Sequence, residues 1–370
     1  MSNATKDWEE YVEREQERVT PLLAALGITL DAHQPQTIGE RYLTRPRDGG
    51  RKVVFFGTRQ SDNARFVVKT SSEPRGVAEL AHERQVYAML IRIRFAYGVF
   101  ALPALLRFDE RNGLLITEFI EQERPFLDRP LCEQFSIALD AFKAQENAHA
   151  TTSEHWNALK NMMRTNEYYI KPGEYGKMGA YAQDLTLIKG YDDGLYARLD
   201  PLLNRALDLV RNNEAVLEQY SGFLTHWDFI PQNFRIRDHK LFLLDLTALR
   251  FGNKYEGWAR FINFMELYNP ALARALTSYV RLNRVPEELV ALKAMRAYRL
   301  IELIRYYATL LSKTEGDTRL LAETRIVFWS EVLSHVLNDT DVPREIVEAY
   351  KAKRDSLRSE DEKRRQIGLH

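Results

Sequence analysis

A histidine, two carboxylates and an asparagine fall close together late in this chain. The stretch His226-Trp227-Asp228-Phe229-Ile230-Pro231-Gln232-Asn233 is followed by Asp245, which closes the apolar run Phe242-Leu243-Leu244. These residue types at this spacing suit phosphoryl transfer. That chemistry needs a carboxylate to orient an attacking hydroxyl and accept its proton. It also needs oxygen ligands for Mg²⁺, which takes one or two carboxylates together with phosphate oxygens and water. Asp228 can be the base, and Asn233 and Asp245 the metal ligands. Strand-like runs at 234–236 and 241–244, joined by a turn at Asp238-His239, make a hairpin that sets Asn233 beside Asp245. Pro231 stiffens the loop. A carboxylate at the end of an apolar strand needs a partner, and a metal ion supplies one. Asp238 is assigned to the turn, and His226 to bracing the loop. Asp228 is expected to face open space at the mouth of a cleft and not to be buried in a salt bridge, because a base must reach the hydroxyl that it orients.

The elements that position these residues follow from periodicity. Residues 5–26 read as an amphipathic helix with Trp8, Val12, Val19, Leu22 and Leu23 on one face, ended by Gly27. Val53-Val54-Phe55-Phe56 and Phe66-Val67-Val68 read as antiparallel strands joined by the turn Ser61-Asp62-Asn63. A helix over 77–94 carries Leu80, Val86, Leu90 and Ile93, and two further strand-like runs lie around 105–108 and 114–120. Beyond about residue 130 the pattern is mainly helical. Leu300, Leu303, Ile304, Tyr307 and Leu311 recur at helical spacing as core positions. Residues 351–370 are highly charged and read as an exposed helix or frayed end.

His-x-Asp-x-x-x-x-Asn with a downstream Asp at a strand end resembles the catalytic signature of kinases. Over roughly residues 41–265 the chain resembles the aminoglycoside phosphotransferase and choline kinase branch of that superfamily. The resemblance implies a bilobal, α+β protein-kinase-like fold. Its N-lobe would be a small antiparallel sheet with one helix, and its C-lobe large and mainly helical. It implies ATP and Mg²⁺ as cofactors. It makes Lys69, in Phe66-Val67-Val68-Lys69, the residue that touches the α/β-phosphates, and Glu83 its ion-pair partner. By the same match Thr117 lines the back of the adenine pocket, and the Glu118 carbonyl and Ile120 amide bond the adenine edge. The chain departs from protein kinases: Asp245 is followed by Leu246-Thr247, no Ala-Pro-Glu follows, and the stretch from Ile120 to His226 is long and helix-rich. It also departs from the small-molecule branch. Trp227 replaces something smaller or polar, the glycine-rich turn is only Arg47-Asp48-Gly49-Gly50-Arg51, and Glu256-Gly257-Trp258-Ala259-Arg260 lacks an expected Asp.

Composition narrows the partners. Lys+Arg and Asp+Glu are equal at 52 each, so no global charge argues for nucleic acid or membrane. The charged N-terminus lacks a signal-peptide pattern, and no stretch is long and uncharged enough to span a bilayer, so a cytoplasmic protein is expected. The single cysteine, Cys132, excludes an intramolecular disulfide and reads as a small apolar filler. The expected organisation is an N-terminal helix and linker (1–40), a nucleotide-binding N-lobe (41–120) and a helical C-lobe (121–370). The expected activity is transfer of the γ-phosphate of ATP to a hydroxyl of a small molecule, aminoglycoside-, choline- or sugar-like. Two alternatives stand beside it: a kinase acting on a protein, and an inactive kinase-shaped regulatory or binding protein. Tyr168, Tyr169, Tyr175 and Tyr181 could line a substrate pocket or simply pack, and Glu266 and Tyr268 could face substrate. The N- and C-terminal helices could support a homodimer.

Overall fold

The computed structural model describes residues 3–31, 52–95, 98–154, 164–165, 185–358 and 363. The turn at 47–51 and the tyrosines at 168, 169, 175 and 181 lie outside them. The chain divides into two compact units, one of Met1–Glu123 with Phe234–Thr247, the other of Arg124–Asn233 with Ala248–Lys363.

In the first unit, helix α1 (Asn3–Ala24) stops before Gly27, whose φ of +69° suits a residue without a side chain. Strands β1 (Ile28–Leu30), β2 (Val53–Arg59) and β3 (Arg65–Thr70) join a later pair, β5 (Leu105–Asp109) and β6 (Leu114–Glu118). Together they form a five-stranded sheet in the order β1-β2-β3-β6-β5, antiparallel throughout. Alternation along the strands turns Val53, Phe55, Phe66, Val68, Leu114 and Ile116 to one side, where they meet Tyr11, Val12, Val19 and Leu23 of α1. Between β3 and β6 lies helix α2 (Pro74–Ile93), started by a proline that has no amide hydrogen to lose. A second sheet pairs β9 (Phe234–Arg237) with β10 (Lys240–Leu243) antiparallel and β10 with the short β4 (Phe100–Ala101) parallel. The β9–β10 turn has φ of +52° at Asp238 and +61° at His239, the left-handed pair that a two-residue hairpin requires.

The second unit is mainly helical. Helices α3 (Leu131–Glu154), α4 (Asp193–Asn212) and α5 (Glu214–Gln219) precede the site; α6 (Glu256–Tyr268), α7 (Pro270–Asn283), α8 (Pro286–Leu311), α9 (Gly316–Leu337) and α10 (Arg344–Ser356) follow it. A small sheet runs β7 (Arg164–Thr165), β11 (Leu249–Gly252), β8 (Phe223–His226), with β8 and β11 antiparallel. Helix α6 is buried from Glu256 through Leu267, on every face. Its Trp258 and Phe261 pack with Phe142 of α3 and with Phe229, ring centroids 4.2–5.8 Å apart. In α8, Leu300, Ile304, Tyr307 and Leu311 are core residues, as their spacing predicts, while Leu303 is only half-buried. Cys132 is a correction: it is exposed, because it falls in the first turn of α3 on the outward side. Among the described residues no helix is long and apolar enough to cross a membrane.

Candidate active site

The first unit holds the residues expected to bind nucleotide. Lys69 lies in the interior of β3, opposite Leu115 of β6, and its Nζ is 2.5 Å from Glu83 Oε1 on α2. Burial alone would push the Lys69 ammonium down, but the charges of Glu83 and Asp245 outweigh it and raise its pKa. Lys69 therefore stays cationic across the physiological range. Asp245 follows β10 with φ of +48°, a conformation that non-glycine residues adopt at a cost. Its Oδ1 accepts from Thr247 Oγ1 at 2.6 Å. Thr117 is paired in β6 between Val67 and Leu105. Glu118 commits its carboxylate to Arg237 of β9, at 2.6 Å. The Phe119 amide donates to Arg65 O at 3.0 Å, and the Arg65 guanidinium lies 4.0 Å from the Phe119 ring centroid. The next amide, that of Ile120, meets no acceptor among the described residues, while the Ile120 side chain is buried.

The second unit holds the loop 226–233. The Trp227 amide donates to Ala248 O at 3.0 Å, and Phe229 is wholly buried in the aromatic cluster, so the loop is pinned on both sides of Asp228. Asn233 Nδ2 donates to Asp228 Oδ2 at 2.9 Å and to the Asp228 carbonyl at 2.8 Å. Asp228 Oδ1 accepts from Arg260 Nε of α6 at 2.7 Å. Asp228, expected to stand clear of a buried salt bridge, is thus ion-paired to Arg260. The reason is tertiary: α6, buried throughout, carries Arg260 in beside the loop, and a buried guanidinium needs an anion. The Asp228 side chain nevertheless keeps 30% of its surface exposed. Burial would raise its pKa, but Arg260 first, then Arg299 and His226, hold it well below the usual carboxylate range.

The remaining loop contacts explain its departures in sequence. Trp227 has the guanidinium carbons of Arg250 and Arg299 each 4.5 Å from its ring centroid. Arg250 pairs with the fully buried Glu256, and Arg299 with Glu302. A Cβ on Gly257 would lie 3.1 Å from both the His226 carbonyl and Thr225 Oγ1, tighter than an ordinary contact. Where an aspartate is expected, the chain thus has a close helix approach, with Glu256 and Arg250 reaching the loop through Trp227. His226 is buried and set edge-on to Phe229. Glu266 does not face open space; it is buried against Arg296 at 2.6 Å, and the Tyr268 hydroxyl accepts from Arg354. Arg260 and Arg299 were not among the expected site residues. The triplet Trp258-Ala259-Arg260 was the available signal for Arg260; nothing local marks Arg299, which stands on a helix far along the chain.

The donor set fits Mg²⁺ in kind. With Nδ2 engaged twice by Asp228, Asn233 has its Oδ1 left as the acceptor, and Asp245 adds a carboxylate; both are the hard oxygen ligands that Mg²⁺ takes. Asn233 falls in the second unit and Asp245 in the first.

Comparison with solved structures identifies the fold. A choline kinase from Cryptosporidium parvum Iowa II superposes with a TM-score of 0.53 at 13% identity, over 88% of this chain and 97% of that one. A thermostable mutant of aminoglycoside phosphotransferase APH(4)-Ia, in apo form, gives a TM-score of 0.52 at 15% identity over 86% and 97%. A thermostable mutant of the same enzyme, in ternary complex with ADP and hygromycin B, gives 0.50 at 15% over 84% and 96%. No protein-family model matches the chain, and comparison with curated proteins gives no match. The chain has the bilobal, α+β protein-kinase-like fold that aminoglycoside phosphotransferases and choline kinase share.

Proposed function

We propose that this protein is an ATP- and Mg²⁺-dependent phosphotransferase that moves the γ-phosphoryl group to a hydroxyl of a small molecule. The observation that carries the reading is the holding of Asp228. One carboxylate oxygen takes Arg260, the other takes the Asn233 amide, and part of the side chain remains open. A carboxylate so fixed and so acidic is a poor reservoir for protons and a good template for orientation. That suits phosphoryl transfer, in which positioning and electrostatic stabilisation supply most of the rate and little proton movement precedes the transition state. Lys69, kept cationic by Glu83 and Asp245, offers charge for phosphate oxygens. The Ile120 amide offers a donor to a base edge, with Thr117 and the Glu118 carbonyl beside it in sequence. Asn233 and Asp245 would hold Mg²⁺, which neutralises phosphate charge when bound. That both sets of residues serve one reaction is supported by the order of the motifs along the chain and by the fold shared with a choline kinase and an aminoglycoside phosphotransferase.

The test is ADP release across a library of hydroxyl compounds, with wild type and Asp228→Asn in parallel. Wild type should turn over at least one acceptor. The Asn variant should bind ATP with similar affinity and lose about 10²–10⁴-fold in kcat. Full turnover in the variant would remove Asp228 from the chemistry. A wild type that binds no Mg²⁺–ATP would favour the inactive, kinase-shaped reading, which the aspartate missing near Gly257 and the glycine-poor turn at 47–51 motivate.

A further inference from the structure

The segment that joins Lys69 to the helix of its partner is gripped by an element outside the nucleotide-binding motifs. Helix α1 places Glu15, only 1% exposed, against it. Glu15 Oε2 accepts from Thr70 Oγ1 at 3.1 Å, and Oε1 accepts from the Ser72 amide at 3.1 Å. Arg18, one turn on, holds Glu15 at 2.5 Å, Thr70 Oγ1 at 2.5 Å and the Asn112 carbonyl at 2.5 Å. The Tyr11 hydroxyl lies 3.2 Å from Ser71 Oγ. The Ser71 amide donates to Gly113 O at 3.0 Å, in the turn that leads to β6. Three consecutive residues after Lys69 are therefore tied to α1, and α2, which carries Glu83, begins two residues later at Pro74. Burial would raise the Glu15 carboxyl, yet Arg18, Ser72 and Thr70 hold it below the usual range, so it is ionised when it makes these bonds.

We propose that Glu15 is a positioning residue for the Lys69–Glu83 pair, and that α1 thereby sets nucleotide affinity from outside the site. A shift of residues 70–72 would move the end of β3 relative to the start of α2, and with it the reach from Lys69 to Glu83. The functional half of this inference rests on the phosphotransferase reading; the structural half does not.

Two measurements on Glu15→Gln test it, since Gln keeps the shape and removes the charge. The first is the dissociation constant of a fluorescent ATP analogue with Mg²⁺, taken well below the unfolding midpoint of each protein. It should rise about five- to fifty-fold, with the acceptor KM changing less. Arg18→Lys, which keeps the charge and loses the fork, should fall between the two. The second is the rate of amine labelling at Lys69, read by mass spectrometry, which should increase in Glu15→Gln. A lower melting temperature with wild-type nucleotide affinity and wild-type Lys69 labelling would overturn the proposal and leave α1 a purely stabilising helix. If the wild type binds no nucleotide, the phosphotransferase reading fails, and Lys69 labelling alone decides whether Glu15 positions the pair.

Discussion

At Asp228 the two carboxylate oxygens have different partners, and the consequences separate by pH. The native pKa lies below the ordinary 3.8 because the cationic neighbours outweigh burial. The stabilisation that Asp228 contributes is therefore fully present above its unfolded-state value and is lost as pH falls through the lower native one. Activity should accordingly show no acid limb from Asp228 above the ordinary carboxylate range. Arg260→Ala removes the main opposing charge, so burial then dominates and the acid limb of kcat should move upward. The variant should also lose about 1–3 kcal/mol of stability, less than a fully buried pair because Asp228 keeps partial exposure. A kcat–pH profile of the two proteins checks this; superimposable acid limbs would show that Arg260 does not govern Asp228.

Elements place these residues through a few tight approaches. Helix α6 comes so near the loop that Gly257 has no room for a side chain without moving His226 or Thr225. Gly257→Ala should cost about 1–3 kcal/mol by overpacking and lower kcat more than it raises the KM for ATP, as steady-state kinetics would reveal. In the β9–β10 hairpin, the left-handed backbone of His239 tolerates glycine and resists branched side chains. His239→Val should destabilise by about 1–2 kcal/mol, while His239→Gly should be near neutral; denaturant unfolding distinguishes them. The hairpin precedes Asp245 directly, so loosening it should also weaken any Mg²⁺-dependent binding.

For the whole molecule, a ligand that binds only the native state raises its stability by mass action, about 2.7 kcal/mol at a hundred times its dissociation constant. Mg²⁺–ATP should therefore raise the melting temperature, and Asp245→Ala should abolish the Mg²⁺-dependent part of that rise while leaving the ligand-free melting temperature within a few degrees. A variant that still responds fully to Mg²⁺ would exclude Asp245 as a ligand. The 52 acidic and 52 basic residues leave the chain with no net charge.

Much of this architecture was legible in the sequence, because its signals are local. Short apolar runs bounded by turns marked β2, β3 and β6, helical spacing marked α1, α2 and α8, and the Asp238-His239 turn marked the hairpin that leads to Asp245. The spacing of Lys69, Glu83, Asp228, Asn233 and Asp245 indicated a kinase-like order, and the fold agrees. Strands β8 and β11 escaped, although β9 and β10 of the same length did not, since no tight turn joins them and they pair across the loop and hairpin that lie between them in sequence. The ionic partners escaped for a related reason. Arg260 meets Asp228 from 32 positions away, and Glu15 meets Thr70 from 55. A charge in a sequence carries no record of its partner; which anion a buried guanidinium finds is decided only when packed helices bring the two together and exclude water.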